Sequence, residues 1–237
     1  LGPGDDGALI EGLPSGIVIS TDTYIDGSHY RSAWLDPEDV ASRCMGAALS
    51  DLAAMGALPR FYTLALTLTA RDDRAWVCAF ADALGKASKS YKVDLIGGDL
   101  TRSDRQMISL TVMGTPTKGR ITQRGGAHPG DGLWVSGTLG AAAAGLAWLD
   151  ARGRDKGPMS EAFRQPKPRL LLGSTLAHMS IASSGLDISD GLITDLSRLC
   201  AASSCGAEIV QNLLPVDPRA RRAASACHAR GPRPHWG

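Results

Sequence analysis

Apolar residues come along this chain in short blocks, and their spacing alternates between that of a strand and that of a helix. Ile17-Val18-Ile19-Ser20-Thr21 is a β-branched run closing on polar residues. It predicts a buried strand that delivers Thr21 and Asp22 at its C-terminal end. Asp36-Pro37-Glu38-Asp39 marks a helix start, with an acid at the N-cap, a proline suited to the first turn and acids at the positive end of the helix dipole. That helix runs through Ala41, Met45, Ala48 and Leu52 and stops near Gly56. Residues 61–69 alternate Leu and Thr as a strand does, and residues 72–91 show helical spacing through Trp76, Phe80 and Leu84. Val93-Asp94-Leu95-Ile96 predicts a short strand running into Gly97-Gly98-Asp99, and residues 108–114 predict another.

Periodicity then lapses. Residues 115–132 are rich in Gly, Pro, Arg and Lys, which places a domain boundary there and divides the chain into 1–118 and 119–237. The second part opens on a predicted strand at 133–136 and an Ala-rich helix at 141–149. A polar loop region follows at 152–168, then helices at 169–179 and 193–203 and a strand at 207–210. Strands and helices alternate throughout, so the expected class is mixed, α/β (α+β). No internal repeat of solenoid period is present.

Composition narrows the function classes. With 43% hydrophobic and 21% charged residues over 237 positions the chain can bury a real core. Lys and Arg number 25 against 24 Asp and Glu, and aromatic residues make up 5%, so neither a basic stripe nor a base-stacking platform argues for nucleic acid. The Arg-rich end (Arg219, Arg221, Arg222, Arg230, Arg233) reads as a solvated face rather than a nucleic-acid arm. No apolar run has the length of a membrane span, and no basic-then-apolar leader opens the chain. Cys44, Cys78, Cys200, Cys205 and Cys227 form no Cys-x-x-Cys pair; they read as small buried hydrophobes in a reducing cytoplasm.

Chemistry gathers around the aspartates. Asp5-Asp6, Asp22, Asp51, Asp99, Asp187 and Asp190 stand at predicted element ends or Gly-rich turns, with short hydroxyls beside them at Ser20, Thr21, Ser50, Thr101 and Ser189. Carboxylates and hydroxyls are hard oxygen ligands suited to Mg²⁺, which takes one or two carboxylates and completes its shell with water and phosphate oxygens. Several acidic clusters therefore point to several ions shared with a polyphosphate. Taken singly, a Gly-Asp or Asp-Gly is usually the mark of a turn. Neither a Walker A sequence nor a kinase catalytic-loop triplet is present. Gly137-Thr138-Leu139-Gly140 fits either a phosphate-binding turn or a plain tight turn before a helix.

In their order these segments resemble the thiamine-monophosphate kinase family: Gly4-Asp5-Asp6; Ser20-Thr21-Asp22-Thr23 with Gly27 and His29; Leu49-Ser50-Asp51-Leu52-Ala53-Ala54-Met55-Gly56-Ala57; Gly97-Gly98-Asp99; Val135 to Gly140; and Asp187-Ile188-Ser189-Asp190-Gly191-Leu192. The resemblance implies a two-domain fold like aminoimidazole ribonucleotide synthetase. In that fold an N-terminal α/β domain joins a partner's sheet in a homodimer, and an α+β domain follows. It implies ATP-dependent phosphorylation of thiamine monophosphate to thiamine diphosphate. It also implies Mg²⁺ ligands at Asp6, Ser20, Thr21, Asp22, Asp51, Asp99, Asp187 and Asp190, ATP contacts at Tyr91, Gly98, Asp99, Arg124 and Ser189, and a substrate contact at His29. No general base is assigned, and neither nucleic acid nor membrane is an expected partner.

The chain departs from the family pattern at several positions. Asp26, Ser28 and Tyr30 stand where Glu, Val and Phe are usual, Leu100 where Thr is, Ala141 where Asp is, and Pro3 where Ile is. The family pattern also has a helical segment before Gly4, and a Gly-Gly-Glu-Asp-Tyr segment with further strands after Trp236, so the chain is expected to be truncated at both ends. Two rival readings remain at this point. One is a sister enzyme acting on selenide, an aminoimidazole precursor or a carbamoyl group; the other is a nucleotide-binding or dimerisation module without turnover.

Overall fold

The computed structural model describes residues 8–10, 16–118 and 120–228. Five strands form one sheet: β1 (Ala8–Ile10), β2 (Ile17–Ile25), β3 (Ala57–Leu68), β4 (Asp94–Arg102) and β5 (Met107–Pro116). Their order across the sheet is β1-β2-β5-β3-β4, antiparallel except for the parallel pair β3–β4, whose crossover is helix α2 (Arg74–Tyr91). In β5 the alternation of half-buried and buried residues is complete, as a strand with one packed face requires.

Helix α1 (Pro37–Ala54) lies on that packed face, and Val40, Ala41, Cys44, Met45, Ala48, Leu49 and Leu52 are wholly buried in one core with Val18, Tyr62, Ile108, Leu110 and Val112. Its other side is covered too. Helices α3 (Ala141–Arg152), α4 (Glu161–Arg164) and α5 (Leu170–Met179) bring Leu149, Phe163 and Leu170 to the same core. The approach is close enough to demand glycine. A Cβ on Gly46 would collide with the Pro166 carbonyl, and one on Gly173 with the Ala53 carbonyl. Charge adds direction. Asp39 in the first turn of α1 pairs with Arg164 of α4 at 2.7 Å with both side chains buried, and Arg164 also donates to Ser160 Oγ and the Lys156 carbonyl, each at 2.9 Å. Arg43 donates to the Phe163 carbonyl at 2.5 Å and lies over the Phe163 ring.

Several expectations change. Asp36 occupies the N-cap of α1 but makes no capping bond; its carboxylate pairs instead with Arg154 and with Lys156 at 2.5 Å. Strand β2 runs on to Ile25, so Thr21 and Asp22 sit inside it rather than at its end. Gly97-Gly98-Asp99 is strand, not turn, because pairing with β3 continues to Arg102 and overrides the local turn signal. Residues 133–136 and 207–210 form no strand. Neither finds a ladder partner among the described residues, and Trp134 is 91% and Val210 53% exposed. The stretch 152–168 contains α4, and α6 (Leu192–Ser203) is followed by a single 3₁₀ turn and α7 (Pro218–His228) in the Arg-rich region. Arg219 there is held by Asp217 and the Pro158 carbonyl, which replaces the expected solvated face at that position; Arg230 and Arg233 lie outside the described residues. Among the cysteines with described side chains, Cys44 is fully buried, Cys78 is exposed, and Cys200 and Cys205 are half-buried.

Two variants test how the helical layer is held on α1. Arg164→Met leaves Asp39 buried without its partner and is expected to cost about 3–5 kcal/mol in urea unfolding. Gly173→Ala forces α5 off α1 and is expected to cost about 1–3 kcal/mol. Neutral behaviour of both would show that the contact is not needed for the fold.

Candidate active site

The sheet has two unlike faces, and the acidic residues divide between them. In β2, Ser20, Asp22 and Tyr24 share the face toward α1, because their cross-strand neighbours are the buried Val112, Leu110 and Ile108. Ser20 Oγ donates to Asp51 Oδ2 at 2.5 Å, which joins the strand to the last turns of α1. Tyr24 donates its hydroxyl to Asp22 Oδ2 at 2.7 Å. Burial and the nearby Asp22 push the Tyr24 phenol far up, so it stays a donor at any physiological pH. The His29 ring stands edge-on to Tyr24 with centroids 6.1 Å apart, and its Nδ1 accepts the Ile25 N–H at 3.1 Å, which leaves Nε2 to carry the proton of the neutral ring. Ser20, Asp22, Asp51 and His29 thus form one neighbourhood at the junction of β2 and α1.

The opposite face is a field of hydroxyls. Thr21 bonds Thr111 at 3.0 Å, Thr23 bonds Ser109 at 2.8 Å and Thr67 bonds Thr101 at 2.9 Å. Asp99, two residues before Thr101, shares this face, is exposed, and accepts only the adjacent Leu100 N–H among the hydrogen bonds of its carboxylate in the described residues. The side chain of Thr21 therefore points away from those of Ser20 and Asp22. β2 and β4 are separated by β5 and β3, about 14 Å at three strand spacings, so Asp99 and Asp22 of one chain are not neighbours. Gly98 lies in the same cross-sheet row as Asp22, Leu110 and Leu64, and a Cβ on it would collide with the Leu64 carbonyl. Tyr91 closes α2 beside β4, half-buried, its phenol raised by burial.

A third group comes from residues after 120. The Asp187–Gly191 loop ends at α6, and one carboxylate oxygen of Asp195 accepts the N–H groups of Ser189, Asp190 and Gly191, each at 3.0 Å. Arg198 Nη1 bridges Asp190 at 2.6 Å and Asp195 at 2.9 Å. Asp195, Arg198 and Tyr24 brace these candidate residues and were missed by the sequence reading; an acid in the first turn of α6 was the available signal for Asp195. Arg124 meets this group: its carbonyl accepts Ser184 Oγ at 2.8 Å and Ser203 Oγ at 2.9 Å, and its positive charge is felt at Arg198. The Thr122 N–H reaches the Met55 carbonyl at 3.0 Å and Gly185 packs toward the Ala54 carbonyl, so the loop bearing Asp187, Ser189 and Asp190 starts beside the end of α1 that carries Asp51. Asp6 lies outside the described residues. Among the described residues no three His, Cys, Asp or Glu side chains form a metal cluster unaided.

The turn Gly137–Gly140 has a structural occupation. Thr138 donates to Asp217 at 2.9 Å, and the Leu139 N–H bonds the Pro215 carbonyl at 2.8 Å. Two of its donors are thus taken by the segment before α7. Tyr30, where Phe is usual in the family, buries its hydroxyl on Gln106 Oε1 at 2.6 Å, so the extra oxygen is satisfied.

Residues 4–115 match the family described as AIR synthase related protein, N-terminal domain. The chain is 44% identical over 222 residues to the thiamine-monophosphate kinase of Escherichia coli K12, covering 91% of this chain and 66% of that protein. It is 35% identical over 224 residues to that of Synechococcus elongatus, covering 90% of this chain and 68% of the relative. The chain belongs to the thiamine-monophosphate kinase family. It spans about two thirds of the length of its curated relatives in that family. A solved structure, AaThiL complexed with AMPPCP and TMP, superposes with a TM-score of 0.87 at 28% identity over 94% of this chain and 72% of that one, and the thiamine monophosphate kinase (thil) of Aquifex aeolicus does so with a TM-score of 0.85 at 27% identity over 93% of this chain and 75% of that one. The mixed α/β architecture, with its sheet face packed on α1, is therefore that of the family.

Two outcomes test the supports of the site. Asp195→Ala removes the acceptor shared by three amides, and hydrogen exchange at Ser189, Asp190 and Gly191 is expected to speed up about tenfold or more. Asp217 is held well below the usual carboxylate range, chiefly by the Arg219 side chain. A folded-state value below the unfolded one gives stability that is complete above about pH 4 and is lost as pH falls through the folded value. Asp217→Asn should therefore melt below the parent at pH 7, with the difference narrowing under strong acid.

Proposed function

We propose that this chain carries the nucleotide- and metal-holding machinery of an enzyme that transfers the γ-phosphate of ATP to thiamine monophosphate, giving thiamine diphosphate, in the cytoplasm. Kinship with the thiamine-monophosphate kinases, one of them in complex with AMPPCP and TMP, is the observation that carries the reading. The domain division at 118/119 belongs to the same proposal: 1–118 supplies the sheet, α1 and α2, and 119–237 the Arg124 segment and the Asp187–Gly191 loop.

The donor set fits Mg²⁺. Ser20, Asp22 and Asp51 offer only hard oxygens, with one or two carboxylates per ion rather than an all-protein cage. Asp187 and Asp190, with Asp6 and the Thr21 backbone, would extend the set. When bound, Mg²⁺ supplies positive charge to the phosphate oxygens. The remaining work falls to the chain itself. Arg124 neutralises phosphate charge, and the amides pinned by Asp195 fix the loop bearing Ser189 against the nucleotide. His29 presents Nε2–H to the substrate from a ring locked by the Ile25 amide. A phosphate monoester has its second pKa near about 6 and is mostly dianionic at neutral pH, so it attacks without a general base. The task is to hold two anions in line.

The two faces of the sheet favour a homodimer through the first domain. Asp99, Gly98 and Tyr91 belong to the nucleotide site in this reading, yet Asp99 lies on the open face and about 14 Å from Asp22 of its own chain. Joining two copies at the exposed β4 edge, so that Asp99 of one chain reaches the corner of Asp22 and Asp51 in the other, would let it serve the other chain's site.

Asp22→Asn and Asp51→Asn are each expected to lower kcat for thiamine monophosphate at least a thousandfold with the fold retained, read by coupled ADP release and circular dichroism. Binding of Mg-ATP without turnover in the parent would instead favour a nucleotide-binding module. Mixing Asp22→Asn and Asp99→Asn chains should restore activity that neither has alone, because a mixed dimer regains one intact site. No recovery after confirmed subunit exchange would place Asp99 in its own chain's site.

A further inference from the structure

Helix α6 ends in a Schellman closure. Ser204 is left-handed at φ 52°, its N–H bonds the Ala201 carbonyl at 3.3 Å, and the N–H of Cys205 bonds the Cys200 carbonyl at 3.1 Å. In this closure the first and sixth residues turn their side chains toward one another. Here both are cysteines. An N···O distance of 3.1 Å allows their Cα atoms to be no more than about 7 Å apart, against the roughly 4.4–6.8 Å that a disulfide spans. Burial together with the neighbouring Cys205 thiol pushes the Cys200 thiol up. Both residues are half-buried, open to a small reagent but not to a second protein chain as readily as the exposed Cys78.

The same helix end holds a functional segment. Ser203, next to the closure, donates its hydroxyl to the Arg124 carbonyl at 2.9 Å and accepts the Ala127 N–H at 3.2 Å. A Cβ on Gly125 would stand 3.0 Å from the Ala202 carbonyl, so the Arg124 strand of chain lies directly on this last turn.

We propose that Cys200 and Cys205 are an oxidation site that closes to an intrachain disulfide under a peroxide and so locks the end of α6 against the Arg124 segment. One sulfur takes OH from hydrogen peroxide as a sulfenic acid, and the remaining hydroxide picks up the thiol proton and leaves as water. The second thiol then displaces the sulfenic hydroxyl, and its proton leaves with that hydroxyl as a second water. Two thiols and one peroxide give one disulfide and two waters; the sulfurs are oxidised and the peroxide is reduced. A dithiol reverses the step by exchange.

Both cysteines fall in one tryptic peptide, residues 199–219, since no Lys or Arg interrupts it. After equimolar hydrogen peroxide, N-ethylmaleimide and trypsin, that peptide is expected to lose two hydrogens and resist alkylation, and to regain both alkylation sites after dithiothreitol. In Cys200→Ser the loss of two hydrogens should disappear while Cys205 becomes alkylated. Exchange of the Ala127 amide is expected to slow at least threefold in the oxidised parent and to stay unchanged in Cys200→Ser. Oxidation that appears only at Cys78, or separate sulfinic acids at Cys200 and Cys205, would overturn the pairing. A disulfide that leaves Ala127 exchange unchanged would overturn the coupling to Arg124.

Discussion

Helix α1 is buried on both sides, and the arrangement of everything else follows from that. Its inner side fills the packed face of the sheet; its outer side receives α4 and α5. A helix in this position needs small residues where backbones meet, which Gly46 provides within it and Gly173 provides opposite it. It also needs its polar first turn satisfied out of water, which the Asp39–Arg164 pair achieves. A buried pair of this kind adds little net stability over an apolar one, but it admits few alternative dockings. With α1 fixed, Asp51 is fixed against Ser20, and the chain leaving its end carries Thr122 and Gly185 to the same corner.

The elements that were legible in the sequence are those decided by local spacing. Helices α1 and α2 and the strands β2, β3 and β5 were readable because apolar periodicity, and at α1 the Asp-Pro start, act within a few residues. The extension of β4 through Gly97-Gly98-Asp99 was not readable, since pairing with β3 outweighs glycine's preference for a turn. The reverse happened at 133–136, where a strand-like composition finds no partner among the described residues. Among site residues, the oxygen-bearing types and their order were visible from the chain alone. Their division between two sheet faces was not, because facing depends on register, and a shift of one residue inverts it. The contact of Cys200 with Cys205 escaped for a similar reason: a five-residue separation carries no thiol signature until a left-handed residue folds the helix end back.

Anchoring is the recurring chemical device around the site. Several groups assigned a task are held by a neighbour with no task of its own. Tyr24 holds Asp22, the Ile25 amide holds His29, and Asp195 with Arg198 holds the Asp187–Gly191 loop. Phosphoryl transfer between two anions depends on position more than on proton movement, so rigid supports are the appropriate investment.

The paired hydroxyls on the open sheet face have a consequence for wetting. Thr21 with Thr111, Thr23 with Ser109 and Thr67 with Thr101 each spend a proton on one another across a strand boundary. In each pair one donor is already committed, so covering the surface strands fewer unsatisfied groups than covering isolated threonines would. The methyl groups of the threonines meanwhile give the surface an oily component. Such a face tolerates water and dry contact alike, and can pass from one to the other at small desolvation cost.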